Sequence, residues 1–260
     1  MDNRSPLEEK KELVPWTLQQ TITGVLLTLV PWIALALWLA SLNSGPGRTT
    51  ALAPQFDLAN AIVVFIFSSL VEAAFLIAPL TIAMRVFSGY VHRWRHVWQS
   101  LGLRSFQIGH ALSWIVILFV GIYAVNQGYE ALILAFHWHI QTNDQTLLQS
   151  AKYAPLTTYA TLLASVVVAP FCEEVFFRGF VFMGLLRGMP LGWAIVLSAL
   201  IFAIAHADPG SFAVLFVIGL ALAFLRWRTR SLWPGILLHL LNNAVGALLI
   251  ILAMNGVIHA

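Results

Sequence analysis

Seven stretches of this chain are apolar over lengths that match the thickness of a lipid bilayer. They cover residues 21–42, 58–85, 108–126, 157–177, 191–207, 212–227 and 234–254. A bilayer core takes roughly 20 apolar residues of helix. Backbone inside lipid must satisfy its own hydrogen bonds, which restricts such runs to helices. Composition agrees: hydrophobic residues make up 60% of the chain and charged residues 10%, where soluble domains carry about 25% charged. The expected fold is all-α, a polytopic transmembrane bundle of about seven spans. The second run is long and is expected to tilt or break near Pro79. The fourth is expected to run on toward Leu186. Residues 127–139 are mixed in polarity and suit an interfacial segment or an eighth short span.

The basic residues sort by loop. Of the fourteen Lys and Arg, only Arg48 and Lys152 fall on one side of the seven-span arrangement. The other twelve, including Arg178, fall on the opposite side. The positive-inside rule then places the N-terminus in the cytoplasm and the C-terminus outside, in a multi-pass protein of a bacterial cytoplasmic membrane. The first run is too long for a signal peptide, and acids as well as bases precede it, so it reads as a retained anchor. The net charge of +3 is scattered over several loops. It forms no nucleic-acid surface; the partner expected from composition is membrane lipid. A single cysteine, Cys172, excludes an intramolecular disulfide. Ser44-Gly-Pro-Gly47 reads as a loop. No internal repeat is visible. Residues 1–156 read as transmembrane scaffold and 157–254 as the transmembrane core that carries the polar chemistry, within one membrane domain.

Polar chemistry concentrates in that second part. Glu173, Glu174 and Arg178 stand within six residues inside an apolar stretch. An ionisable side chain at membrane depth costs roughly 2.5–3.5 kcal/mol on insertion scales, so such groups pair or work. On a helix Glu174 and Arg178 are i,i+4 and share a face. Glu173 lies about 100° around and has no local partner. The two acids therefore divide into a structural one and a reactive one, unless all three form a buried ion network. Phe202-Ala-Ile-Ala-His206 ends an apolar helix. His239-Leu-Leu-Asn-Asn243 places His239 and Asn243 on one face near the start of the last helix. Taken alone, His206 suits a satisfied core residue, and His239–Asn243 suits interhelical hydrogen bonding.

Counting residues from the Gly188-Met-Pro190 turn sets Glu173 and His206 level on an antiparallel helix pair. The same counting leaves His239 on the order of 15 Å from His206 along the membrane normal. Bringing them together requires tilted helices or an Asp208-Pro-Gly210 turn that dips into the interior.

The three groups, in this order, resemble the signature of the CPBP family of intramembrane proteases: the CAAX-protease and bacteriocin-processing, Rce1-like or abortive-infection family. Its pattern is Glu-Glu-x-x-x-Arg, Phe-x-x-x-His and His-x-x-x-Asn or a small residue. The resemblance covers about 159–246. It implies an intramembrane endopeptidase in which Glu173 and His206 activate a water, while His239 and Asn243 stabilise the oxyanion. Glu174, Arg178 and Phe202 support them. The family's usual description as metalloproteases implies Zn2+ or another divalent metal on Glu173, His206 and His239. Two His and one carboxylate suit zinc, yet the H-E-x-x-H helix is absent, and a metal-free route with Glu173 as the base stays open. The implied substrate is a peptide or protein, prenylated or membrane-associated.

Two other classes compete. One is a non-catalytic protein of the same fold that binds a partner. The other is a small proton-coupled transporter, for which two similar halves are expected. Glu72 suits an interhelical partner or a cavity-lining group. His92, His96, His137 and His139 suit the membrane interface, as do the tryptophans that mark span ends.

Overall fold

The computed structural model describes residues 14–42, 52–138 and 140–258. The described residues are almost wholly helical. In chain order the helices are α1 (Leu18–Leu42), α2 (Pro54–Ala74), α3 (Ile77–Val86), α4 (Arg93–Leu101), α5 (Ile108–Ala135), α6 (Asn143–Ala151), α7 (Pro155–Val167) and α8 (Ala169–Glu173). A π-helical segment, Glu174–Val181, follows, then α9 (Phe182–Gly188), α10 (Leu191–Ala205), α11 (Phe212–Thr229) and α12 (Trp233–Met254).

Among the described residues, six helical stretches are long and apolar enough to cross a membrane: Leu18–Leu39, Pro54–Val86, Ile108–Ala135, Pro155–Gly188, Phe212–Thr229 and Trp233–Met254. The chain is a multi-pass integral membrane protein. The expected fifth span is the shorter α10, 15 residues long. It stops where Ala207 turns left-handed (φ 48°) ahead of Asp208-Pro209. The second run breaks at Phe75–Leu76, so that Pro79 falls in the first turn of α3, where a missing N–H costs nothing. The fourth continues to Gly188. Residues 127–135 extend α5 and form no separate interfacial or eighth segment. Arg178, grouped above with loop charges, is buried inside the π segment. Arg4, Lys10, Lys11, Arg48, Ser44-Gly-Pro-Gly47 and His139 lie outside the described residues.

Burial divides the bundle into an axis and a shell. Residues are 56% buried over the most apolar window of Pro155–Gly188, against 11–17% for the first three stretches. Leu27, Val63, Leu70, Ile108 and Val120 point outward, as lipid-facing side chains do. Lipid is as apolar as leucine, so packing rather than water exclusion selects the inner helix. Val175, Phe176, Phe177, Phe180 and Phe182 are 0–1% exposed. Phe75 of the α2–α3 break packs its ring at 5.3 Å from Phe176 and 5.8 Å from Phe177.

Polar side chains fix the helix ends. Asp57, 2% exposed, accepts hydrogen bonds from the Leu156 and Thr157 amides (2.8 and 3.0 Å) and from Thr157 Oγ1 (2.7 Å). It caps α7 from a different helix, since Ala154 at the N-cap has no side chain that accepts. Asp208 plays a similar part at the α10–α11 turn. It accepts from the Gly210, Ser211 and Asn143 amides and from Ser211 Oγ.

Candidate active site

Glu173 closes α8 and Glu174 opens the π segment. π-Helical turns insert an extra residue into the ladder and concentrate at functional sites. Here the turn aims the two carboxylates at different partners. Glu174, 0% exposed, accepts from Arg178 Nη1 at 2.9 Å and from His239 Nδ1 at 3.2 Å. Glu174 Oε2 lies so near Gly235 that a β-carbon there would stand 2.9 Å from it, so glycine lets α12 approach the acid.

Glu173 is 8% exposed and its Oε2 has no hydrogen-bond partner. That oxygen lies 3.8 Å from His206 Nε2 and 3.9 Å from His239 Nε2. Both rings are held from behind. His206 Nδ1 donates to the Phe202 carbonyl at 2.8 Å, and His239 Nδ1 donates to Glu174. Each imidazole thus turns Nε2 toward Glu173. Phe202, fully buried, is the platform between them: its ring centroid lies 4.4 Å from His206, 5.8 Å from His239 and 4.1 Å from the Arg178 guanidinium carbon. His206 is the open member, its side chain 27% exposed against 11% for Glu173 and 3% for His239.

The 15 Å gap expected for His239 is absent, because the turns do not lie level. Ser231 and Leu232, between α11 and α12, are 0% and 1% exposed. The Leu232 amide donates to the Gly102 carbonyl, and Ser231 Oγ donates to the Arg104 carbonyl. The turn is therefore drawn inside the protein beneath the end of α4. The Asp208-Pro-Gly210 turn is drawn in too, with Asp208 8% exposed and the Gly210 carbonyl accepting from the Tyr129 hydroxyl.

Asn243 has a contact that spacing does not reveal. Its Nδ2 donates to the Ser165 carbonyl at 2.9 Å, near the end of α7. An amide nitrogen carries two donors, so one N–H remains. Glu72, on the last turn of α2, comes near enough to Glu173 for their charges to interact, and its buried Oε2 has no hydrogen-bond partner. The sequence signal for Glu72 was a lone acid in an apolar run, which names no partner.

The fit to a metal is poor. Two imidazoles with Nδ1 held by acceptors are the usual state of metal-binding histidines. The donors face one another but stand wide: Glu173 Oε2 is 3.8 and 3.9 Å from the two Nε2 atoms, where zinc bonds of roughly 2.0–2.1 Å hold neighbouring ligands about 3.3 Å apart, and among the described residues no group of three His, Cys, Asp or Glu side chains gathers more closely.

Residues 155–245 match the family described as "Type II CAAX prenyl endopeptidase Rce1-like". Over that segment the chain is similar to this Rce1-like family. The matched segment contains every residue of the cluster above except Glu72. The chain is also 29% identical over 140 residues to "Putative membrane peptidase YdiL" of Bacillus subtilis strain 168, an alignment covering 52% of this chain and 55% of that protein. The chain thus spans about half the length of that relative. No solved structure matches it.

Proposed function

We propose that this chain is an intramembrane endopeptidase that cleaves a membrane-associated peptide or protein. The observation that carries the reading is the unpartnered, buried Glu173 oxygen, faced by two imidazole nitrogens within the segment that matches the Rce1-like family. A single water fits hydrogen-bond distances to Glu173 Oε2 and His206 Nε2, which stand 3.8 Å apart. Glu173 takes a proton from that water as its oxygen attacks the scissile carbonyl. Negative charge moves to the carbonyl oxygen, where His239 and the second N–H of Asn243 donate to it. For Nε2 to donate while Nδ1 stays on Glu174, the His239 ring carries both protons; Glu174 already balances Arg178, so the second negative charge is that of Glu173 at first and of the oxyanion once Glu173 has taken the proton. The proton held by Glu173 then passes to the amide nitrogen as the C–N bond breaks.

A lateral groove of about 530 Å3 lies between α1 and the α2–α3 break, lined by Leu27, Trp32, Val71, Phe75, Ala78 and Ile82. Trp32 Nε1 donates to the carbonyl of Ala205, the residue before His206. The groove suits the apolar part of a substrate arriving from lipid, and prenyl chains fall within that chemistry. On this reading residues 157–254 are the catalytic core and 1–156 the scaffold that supplies the groove. The N-terminus faces the cytoplasm of a bacterial membrane, since Arg85, Arg104, Arg187 and Arg230 lie at the ends of helices or in loops on the basic side.

The test is cleavage of a candidate membrane peptide by purified protein, with Glu173→Ala as control. Cleavage by the parent protein alone supports the proposal. Equal cleavage by both, or binding of the peptide with no turnover by either, sinks it in favour of contamination or a partner-binding role.

A further inference from the structure

A second polar constellation lies away from the Glu173 cluster, where the loop between α4 and α5 meets the turn between α11 and α12. The two loops are stitched together. Arg104 Nε donates to the Arg230 carbonyl at 2.6 Å, and Ser231 Oγ donates to the Arg104 carbonyl at 2.7 Å. Between them opens a pocket of about 460 Å3, lined by Ser105, Gln107, His110, Arg228, Thr229 and Arg230 among others. No acidic side chain lines it among the described residues.

Three features give the pocket an excess of positive potential. Arg228 and Arg230 stand on the rim and are exposed. Arg226, in the same last turn of α11 but outside the lining, is 2% exposed, and its Nε and Nη2 are buried with no hydrogen-bond partner among the described residues. Gly102 has a left-handed φ of 104°, and a β-carbon there would stand 2.6 Å from Arg226 Nη2. Arg104 interacts with the charges of both Arg226 and Arg230. Burial first, and the Arg230 charge second, hold the Arg104 guanidinium below its ordinary range. The acid whose charge reaches Arg226 is Glu174, and its Oε1 is engaged by Arg178 and His239. The start of α5 adds to the field. Gln107 at its N-cap makes no side-chain cap and the first turn holds no acid, so free amides and the positive end of a 28-residue helix face the same region. At the opposing carbonyl end of α11 the Arg226 carbonyl accepts from the Arg230 amide, and Arg226 and Arg228 place cations in the last turn.

We propose that this pocket binds the phosphate headgroup of an anionic membrane lipid. Phosphate is the anion that guanidinium forks and helix amides hold best. A lipid is favoured over a free phosphate by what borders the pocket. Ile108 and Leu112, one turn apart on α5, are 73% and 57% exposed, and Trp227 is 41% exposed. A headgroup seated among the arginines leaves its acyl chains along that apolar face. Basic pockets between transmembrane helices are known sites for such headgroups.

The experiment uses the full chain in a neutral detergent and reads its unfolding temperature, with no recourse to peptidase activity. Phosphatidylglycerol, phosphatidylcholine and inorganic phosphate are titrated separately. At a lipid level on the order of 100 times Kd, phosphatidylglycerol should raise Tm by about 5 °C. Phosphatidylcholine and inorganic phosphate should move it by less than about 1 °C. The R228Q/R230Q variant should lose the response relative to its own baseline. R85Q/R95Q, which removes the same charge elsewhere on the exposed surface, should keep it. Native mass spectrometry should find one retained phosphatidylglycerol on the parent and none on R228Q/R230Q, a readout that needs only protein that remains folded. An undiminished response in R228Q/R230Q overturns the site. Equal loss in R85Q/R95Q overturns it in favour of diffuse surface charge. A full shift from inorganic phosphate overturns the lipid assignment in favour of a soluble anion.

Discussion

Glu173 and Glu174 are neighbours in sequence with opposite circumstances. Glu174 is held through Oε1 by both Arg178 and His239, although its Oε2 has no hydrogen-bond partner among the described residues; the Glu173 oxygen that faces the imidazoles also has none, and no side chain pairs with it closely enough to hold it. Glu173→Gln should therefore abolish turnover and leave the yield of folded protein unchanged. Glu174→Gln should lower stability by roughly 3–5 kcal/mol, because it strands a buried guanidinium, and it should reduce activity partially. Detergent-solubilised yield and peptide cleavage, measured on both variants, check this; parallel losses in both would erase the distinction. Asn243 presents a sharper choice, because its amide is also tied to Ser165. Asn243→Ala should lower kcat by roughly 100–1000-fold with little change in KM, as expected for a lost oxyanion donor. The tether alone accounts for about 1 kcal/mol of stability. Asn242→Ala should be mild, since its amide reaches only Asn243 Oδ1, at 3.5 Å. If Asn243→Ala lowers Tm and leaves kcat within about tenfold, the residue is a tether between α12 and α7 and not an oxyanion donor.

Single elements here are positioned by residues on other elements. The inner helix begins where Asp57 on α2 caps α7, 16 residues before Glu173 in the chain. Losing an N-cap acid costs about 0.5–2 kcal/mol, and here the cap also joins two helices. Asp57→Ala should lower Tm measurably, and Asp57→Asn, which keeps one acceptor, should lower it less. Protease nicking in the residues 152–157 would report the loosened start of α7. Unchanged Tm in Asp57→Ala would show that α2–α7 packing holds the helix end without the cap. The π segment acts on the same scale. Its eight residues, Glu174–Val181, are all buried, and they carry both the Glu174–Arg178 pair and the phenylalanines that meet Phe75 and Phe202. One change of winding thus serves the chemistry and the packing together.

Across the whole molecule, the open question for chemistry is the metal. With donors spaced more widely than the ligands of one zinc ion, purified protein should cleave peptide after dialysis against a strong chelator, and elemental analysis should find well under one zinc per chain. Loss of activity on chelation, with recovery on added zinc, would show that the cluster closes around an ion and would replace Glu173 with a metal-bound water as the reactive group. The apolar runs alone determined an all-helical membrane bundle, because bilayer thickness sets helix length and leaves the backbone no other way to bond itself. The sequence also marked Glu173, Glu174, Arg178, His206 and His239, since an ionisable or imidazole group in an apolar run stands out wherever it sits. Spacing along one helix predicted the Glu174–Arg178 pair, an i,i+4 contact that the π segment preserves. Only the tertiary structure brought His239 to Glu173, tied Asn243 to Ser165, set Glu72 beside Glu173 and gathered four arginines around one pocket. Those contacts span 66 to more than 100 residues of chain. They depend on how far each turn is drawn inward, which is decided by side chains such as Asp208 and Ser231 on partners distant in sequence. Hydrophobic period reports a helix and its faces; it carries no information on the depth at which a buried turn comes to rest.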